Sequence, residues 1–228
     1  MKKTAALKVN VDGSRQKIFA SAERLFAERG FNGVSVRDIA NDAGVNSALV
    51  GYYFGGKKGL LSEVYTRHCT PLNQERMRLL KEFSQPKGGP TLEQVLEAFI
   101  RPSLEVTVDH RGRSNFTRLR AILSGENSAL LEKLIADNFD QSSRIFVGAL
   151  RKCLPHLTVE DILWRFHFLL GAIYYTGAGP HRTRELSKGR CNPSDPMACA
   201  EELIPFLAAG FRAPKAKRTP ARSSSRKR

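Results

Sequence analysis

No run in this sequence approaches the roughly 20 consecutive apolar residues that a membrane-crossing helix needs, and Lys2 and Lys3 are not followed by the apolar stretch of a secretory signal. Neither a membrane anchor nor export is therefore expected. Cysteine is sparse: Cys69, Cys153, Cys191 and Cys199 form no CxxC pair and read as reduced thiols, with Cys191 and Cys199 the only two close in sequence. The histidines, His68, His110, His156, His167 and His181, are dispersed, and the chain has no HExxH, GxSxG, Walker A or GxGxxG motif. No metal site, cofactor or catalytic constellation is expected, and the chain does not read as an enzyme. Strand-like alternation and internal repeats are missing too, which leaves an all-α reading with about nine helices.

Acidic residues are outnumbered, 22 Asp and Glu against 37 Lys and Arg, for a net charge of +15. Such an excess favours a polyanionic partner, and both nucleic acid and an anionic membrane surface meet that description. Part of the excess is local. Residues 213–228 hold seven Lys and Arg and no acid, a disordered basic tail that is either merely solvated or makes non-specific phosphate contacts. Residues 1–13 form a second, flexible basic arm.

Residues 35–57 organise the rest of the chain. Ser35 suits the N-cap of a helix in which Val36, Ile39, Ala40 and Ala43 recur at helical spacing, while Arg37, Asp38, Asn41 and Asp42 face water. Gly44 ends that helix in the left-handed conformation and turns the chain into a second one over residues 46–53. The second helix carries almost no charge and no long apolar face. It offers Asn46, Ser47, Tyr52 and Tyr53, polar groups that reach base edges and phosphates when a helix enters the DNA major groove, while Ala48 suits a thymine methyl. Asn46 has a competing role as N-cap of its own helix. Lys57 follows the Gly55-Gly56 turn at the start of a further helix, where an ammonium and free backbone N–H groups converge on one anion.

The run IANDAGVNSALVGYYFGGKKGLL resembles the DNA-binding signature of the TetR family of bacterial transcriptional regulators, with Phe26, Gly30, Ile39, Ala40, Gly44, Val45, Phe54 and Lys57 at the family's fixed positions. It departs from the pattern at Gly51, where the family often has Tyr, and at Gly56-Lys57-Lys58, where it has Ser-Lys-Glu. The resemblance implies a three-helix helix-turn-helix domain over residues 14–58 and a larger helical effector-binding and dimerisation domain over residues 59–212. It also implies a cytoplasmic bacterial regulator that binds a double-stranded DNA operator as a homodimer and is released by a small effector. Ser35, Arg37, Asn46, Ser47, Tyr53 and Lys57 take the family's DNA-contact positions, with Tyr52 displaced by one residue. A non-specific nucleic-acid binder driven by the basic arms is the alternative.

Beyond residue 57 the pattern is helical throughout. Pro71 is expected to kink or split the fourth helix, either as a hinge or as a break between two ordinary helices. Residues 85–90 form a loop, Thr91 and Thr158 cap the helices that follow them, and residues 177–196 read as one long loop. The resemblance places an apolar pocket between these helices, with Phe99, Leu104, Phe116, Ile122, Phe139, Phe166 and Leu170 as candidate lining. A weaker likeness over residues 116–175 to the branch of the family answering to fatty acids or acyl-CoA esters makes such a molecule the candidate effector. Arg118, Arg120 and Arg144 either face its acidic head group or pair with Glu126, Asp137 and Asp140. The helix over residues 161–175 is apolar on all sides, so part of it needs a partner subunit. His167, Gly171, Tyr174, Leu203 and Leu207 are its candidate interface residues.

Overall fold

The computed structural model describes residues 2–105, 116, 119–120, 122–123, 129–178 and 180–215. Among the described residues there are nine α-helices and no strand. They are α1 (Lys2–Arg29), α2 (Val36–Ala43), α3 (Ala48–Phe54), α4 (Lys57–Phe83), α5 (Leu92–Glu105), α6 (Ala129–Cys153), α7 (Val159–Ala178), α8 (Pro180–Leu186) and α9 (Pro196–Arg212). Phe116, Leu119, Arg120, Ile122 and Leu123 are also helical and lie between α5 and α6 in sequence. The all-α reading therefore holds.

Caps set most of these boundaries. Ser35 and Asp38 form a reciprocal capping box at α2, and Thr91 exchanges bonds with Gln94 in the same way at α5. Thr158 and Asp161 do so at α7. Each pair satisfies two backbone donors that a helix start leaves open. Asp195 caps α9, with Pro196 in its first turn.

Three expectations are corrected. Helix α1 starts at Lys2, so residues 2–13, expected as a flexible arm, are helical; residues 4–8 (TAALK) favour helix, and nothing before Gly13 stops it. Helix α4 runs through Pro71 without a split. The proline forfeits one backbone bond, but buried Cys69 and Leu72 on either side hold the helix to the core. The segment expected as one loop over residues 177–196 contains α8, for which Pro180 in the opening turn presets the backbone.

Two hydrophobic clusters form the interior. One gathers Ile18, Phe26, Ile39 and Val50 with the α4 residues Leu60 to Leu72, and extends to Phe116, Leu131 and Phe139. The other joins Leu80 of α4 to α5, the end of α6, α7 and α9. Helix α4 thus supplies side chains to both. Arg212 clamps α9 to α5 through Glu93, at 2.9 Å for its Nη2. Of the basic tail over residues 213–228, residues 213–215 are described, with the Ala213 carbonyl accepting from Arg165 at 2.8 Å, while residues 216–228 and Arg118 lie outside the described residues.

Candidate nucleic-acid interface

Helices α1, α2 and α4 form a buried platform, and α3 lies on its outside. Gly44 ends α2 at φ 65°, and its N–H reaches the Ala40 and Asn41 carbonyls; this left-handed corner suits glycine. Asn46 Oδ1 accepts from the Ala48 N–H at 2.8 Å in the turn that leads into α3; α3 begins at Ala48, two residues later than expected, with Ser47 at its N-cap position. Val50 and Phe54 anchor α3 inward. On its outer side Asn46, Ser47, Ala48, Gly51 and Tyr52 are exposed, Tyr52 at 79%. Tyr53 is half-buried, edge-on to both Tyr52 and Phe54.

Arg37 is exposed on α2, whereas Ser35 is engaged locally. Its Oγ accepts from the Asp38 N–H at 3.1 Å and donates to the Asp38 carboxylate at 2.6 Å, while its own N–H donates to that carboxylate at 2.7 Å. The Ser35 hydroxyl and backbone bonds hold the Asp38 carboxyl below its usual range. Asp42 is lowered too, by the Ser21 hydroxyl first and then by Arg24, which ties α1 to α2.

Lys57 is placed differently from the sequence expectation. Its Nζ donates to the carbonyls of Phe31 at 2.8 Å and Val34 at 2.7 Å, and it lies 4.1 Å from the centre of the Phe31 ring. The ammonium therefore ties the α1–α2 connection to the first turn of α4. Lys58 beside it is exposed, a cation that the sequence reading passed over because Lys57 held the family position. Gly59 is required by close approach, since a Cβ there would lie 1.9 Å from the Phe54 carbonyl oxygen.

The candidate pocket residues divide between the two clusters. Phe116 and Phe139 belong to the first, and Phe99, Leu104 and Phe166 to the second, with Leu170 packed against it; Ile122 is half-buried. Between them lies Arg76, which the sequence reading missed. It is 1% exposed, its Nε donates to the Phe99 carbonyl at 3.1 Å and its Nη2 to Ser103 Oγ at 2.6 Å, and its guanidinium stacks 3.7 Å from the Phe99 ring centre. The missed signal was a charge on an apolar stripe: Cys69, Leu72, Arg76 and Leu80 share one buried face of α4. Burial, then the neighbouring Arg120, pushes the Arg76 pKa down to about 9, which leaves it cationic at neutral pH. Arg120 is also buried, bonds the Tyr174 hydroxyl at 2.6 Å and lies 4.6 Å from the Phe139 ring centre. Arg144, by contrast, is exposed and pairs with Asp140 at 3.0 Å, the local pairing that was its alternative role.

On α7, His167 and Gly171 are exposed on a stripe with Trp164, Phe168 and Tyr175. The three aromatic side chains are 57%, 60% and 63% exposed. Two candidate interface residues turn inward instead. Tyr174 bonds Arg120, and Leu207 is buried in the chain's own core. Helical periodicity explains both: Tyr174 shares the inward face with Phe166 and Ile173, and on α9 Phe206 takes the outward position at 71% exposure. Leu203 is half-buried.

Residues 18–64 match the family described as bacterial regulatory proteins, tetR family, and residues 97–210 match the tetracyclin repressor-like C-terminal domain. The probable HTH-type transcriptional regulator YttP of Bacillus subtilis is 30% identical over 137 residues, 58% of this chain and 61% of that one. The HTH-type transcriptional repressor NicS of Pseudomonas putida is 28% identical over 86 residues, 38% of this chain and 41% of that one. Each match thus spans less than two thirds of the relative. The crystal structure of the transcriptional regulator FadR from Bacillus subtilis, in complex with stearoyl-CoA, superposes over 86% of this chain and 98% of that one, with a TM-score of 0.59 and 19% identity. With both its reading head and its helical body matched, this chain belongs to the TetR family of bacterial transcriptional regulators.

Proposed function

We propose that the protein is a cytoplasmic, homodimeric transcriptional repressor that reads a palindromic operator through α3 and releases it when a small amphipathic effector, a fatty acid or its CoA ester, enters the helical body. The observation that carries the reading is the exposed α3 face, with Tyr52 79% exposed on a helix whose opposite side is fully anchored. Asn46, Ser47, Ala48 and Tyr52 sit on or beside this face, where short polar and apolar groups meet base edges, while Arg37, Tyr53 and Lys58 flank it for phosphate. The unpartnered aromatic stripe of α7 with Phe206 of α9 is the surface through which two copies pair, setting two α3 helices about one turn of DNA apart. The effector assignment is supported by membership of the family, by the apolar side chains between α4, α5 and α7, and by the fold shared with an acyl-CoA-bound regulator.

The test is salt-dependent binding to the DNA upstream of the protein's own gene against random DNA, with the full chain, a chain ending at Lys215, and Tyr52→Ala. Tight binding to one palindrome, kept without the tail and lost in Tyr52→Ala, supports the regulator. Equal affinity for both DNAs that vanishes with the tail overturns it in favour of a non-specific binder.

A further inference from the structure

We infer that Cys191 and Cys199 form a dithiol site that a hydroperoxide oxidises to a disulfide, and that this bond lowers operator affinity. The site stands on its own geometry; its effect on DNA rests on the pairing and operator readings above.

A disulfide needs two thiols brought close by a stretch of chain that can adjust. Cys191 lies in the connection between α8 and α9, and Cys199 in the first turn of α9. The Asp195 N–H donates to the Asn192 carbonyl at 3.0 Å, closing a turn that doubles the chain back directly after Cys191. The Asp195 carboxylate caps α9, which fixes the far side of that turn to the helix carrying Cys199. Both cysteines line one cavity of about 610 Å³, together with Thr176, Leu203 and Phe206. The connection has room to adjust. Lys188 to Asn192 are all exposed, and Lys188 sits at φ 53°, a left-handed conformation that a side chain makes costly.

The four thiols differ in access. Cys191 is exposed, Cys153 and Cys199 are half-buried, and Cys69 is buried. Burial pushes the Cys69 thiol up to about 12 and raises Cys153 and Cys199 as well, which disfavours the reactive thiolate in all three. A hydroperoxide therefore meets Cys191 first. With hydrogen peroxide, the Cys191 sulfur attacks one oxygen and the O–O bond breaks; the other oxygen leaves as water with the thiol's proton, and a sulfenic acid remains. The Cys199 sulfur then attacks the Cys191 sulfur, the S–O bond breaks, and the hydroxyl leaves with the second thiol's proton as another water. Two thiols are oxidised to one disulfide and one peroxide is reduced to two waters. Closure pulls the connection across the cavity onto α9. Phe206 lines that cavity and is 71% exposed on the proposed pairing face, so the bond alters how two copies meet and how their reading heads are spaced.

The experiment treats the purified full-length protein with hydrogen peroxide, maps its cysteines by mass spectrometry without reduction, and measures operator binding on the same samples. Trypsin leaves residues 191–212 as one peptide, since its sole Lys or Arg is Arg212. That peptide should lose about 2 Da, the two thiol hydrogens, and cleavage before Asp195 should leave its halves joined. Cys69 and Cys153 should stay free, operator affinity should fall about tenfold, and dithiothreitol should reverse both changes. Cys199→Ser should stop at a sulfenic acid on Cys191 that dimedone traps, and Cys191→Ser should leave Cys199 reduced. Both variants should bind operator within about twofold of wild type, before and after peroxide. A bond from Cys191 to a second copy, a wild-type sulfenic acid at Cys191 with Cys199 still free, or a Cys191–Cys199 bond that leaves operator affinity unchanged would each overturn the inference. A reduced protein that binds no operator would overturn the regulator reading instead, and the peptide map would still decide the dithiol site.

Discussion

The ammonium of Lys57 faces two carbonyl oxygens and an aromatic ring, and that placement separates two roles by experiment. If it is a clamp, Lys57→Met should cost about 1–3 kcal/mol in denaturant unfolding, since two partly buried carbonyls lose their donor, and operator affinity should fall with an unchanged salt slope. A phosphate contact would instead leave stability nearly unaltered and reduce the slope by about one. The carboxylate that ties α1 to α2 gives a pH signature. Bonds from Ser21 and Arg24 depress the Asp42 carboxyl in the folded chain relative to its ordinary value of 3.8. The unfolded chain therefore takes up its proton at higher pH, so the stabilisation is complete above the unfolded pKa and is lost as pH falls through the folded one. Melting curves from about pH 5 to about pH 3 should show a steeper fall for wild type than for Asp42→Asn. At this scale the sequence was readable where partners are three residues apart. Ser35 and Thr158 follow as caps from residue type and position, though Asp38, read as facing water, closes the Ser35 cap; Lys57 finds acceptors on a distant turn and Arg76 on another helix, which no local pattern encodes.

Helix α3 is short and contains Gly51 in its middle, where a side chain would meet nothing within 4 Å. Gly51→Ala should therefore raise stability by about 0.5–1 kcal/mol through helix propensity alone, read as a higher midpoint in urea. Gly59→Ala should do the reverse, because its Cβ would collide with the Phe54 carbonyl and force apart the α3–α4 corner. The two substitutions are chemically identical and only contacts across the turn distinguish them, so the sequence could mark both glycines without ranking them. Helix existence was legible from caps and apolar spacing in α2, α5, α6, α7 and α9. Continuity was not. Pro71 is a local breaker overruled by packing on both sides, and α8 is too short and too polar to show a periodic face. The α3 face was legible because anchoring residues and exposed ones alternate there as on any amphipathic turn; buried Arg76 was not, because a charge inside an apolar stripe reads as an exception until its neighbours are known.

Among the described residues, α4 and α6 each supply side chains to both hydrophobic clusters, and α4 also packs on α1 and α3. The first turn of α4 holds the reading head through Lys57, and its Arg76 holds α5 through Phe99 and Ser103. A displacement of α4 would thus move α3, but in a single copy this changes only the orientation of one weakly bound head. Its effect on an operator requires a second head at a fixed distance, and on the pairing proposed above that distance is set by the surface on α7 and α9. Phe168 is 60% exposed beside Trp164, so Phe168→Glu should leave the helical circular dichroism and melting cooperativity of each subunit intact while a charge enters the paired face. Sedimentation equilibrium should then show monomers at concentrations where the wild type is dimeric. Affinity for a full palindrome should fall by about 10²-fold or more, because the second head no longer binds at the raised effective concentration that linkage provides. Affinity for an isolated half-site should stay within about twofold, since α3 and its platform are untouched. A monomer that still bound the palindrome like wild type would place the pairing surface elsewhere and remove α7 from the path by which α4 motion reaches DNA.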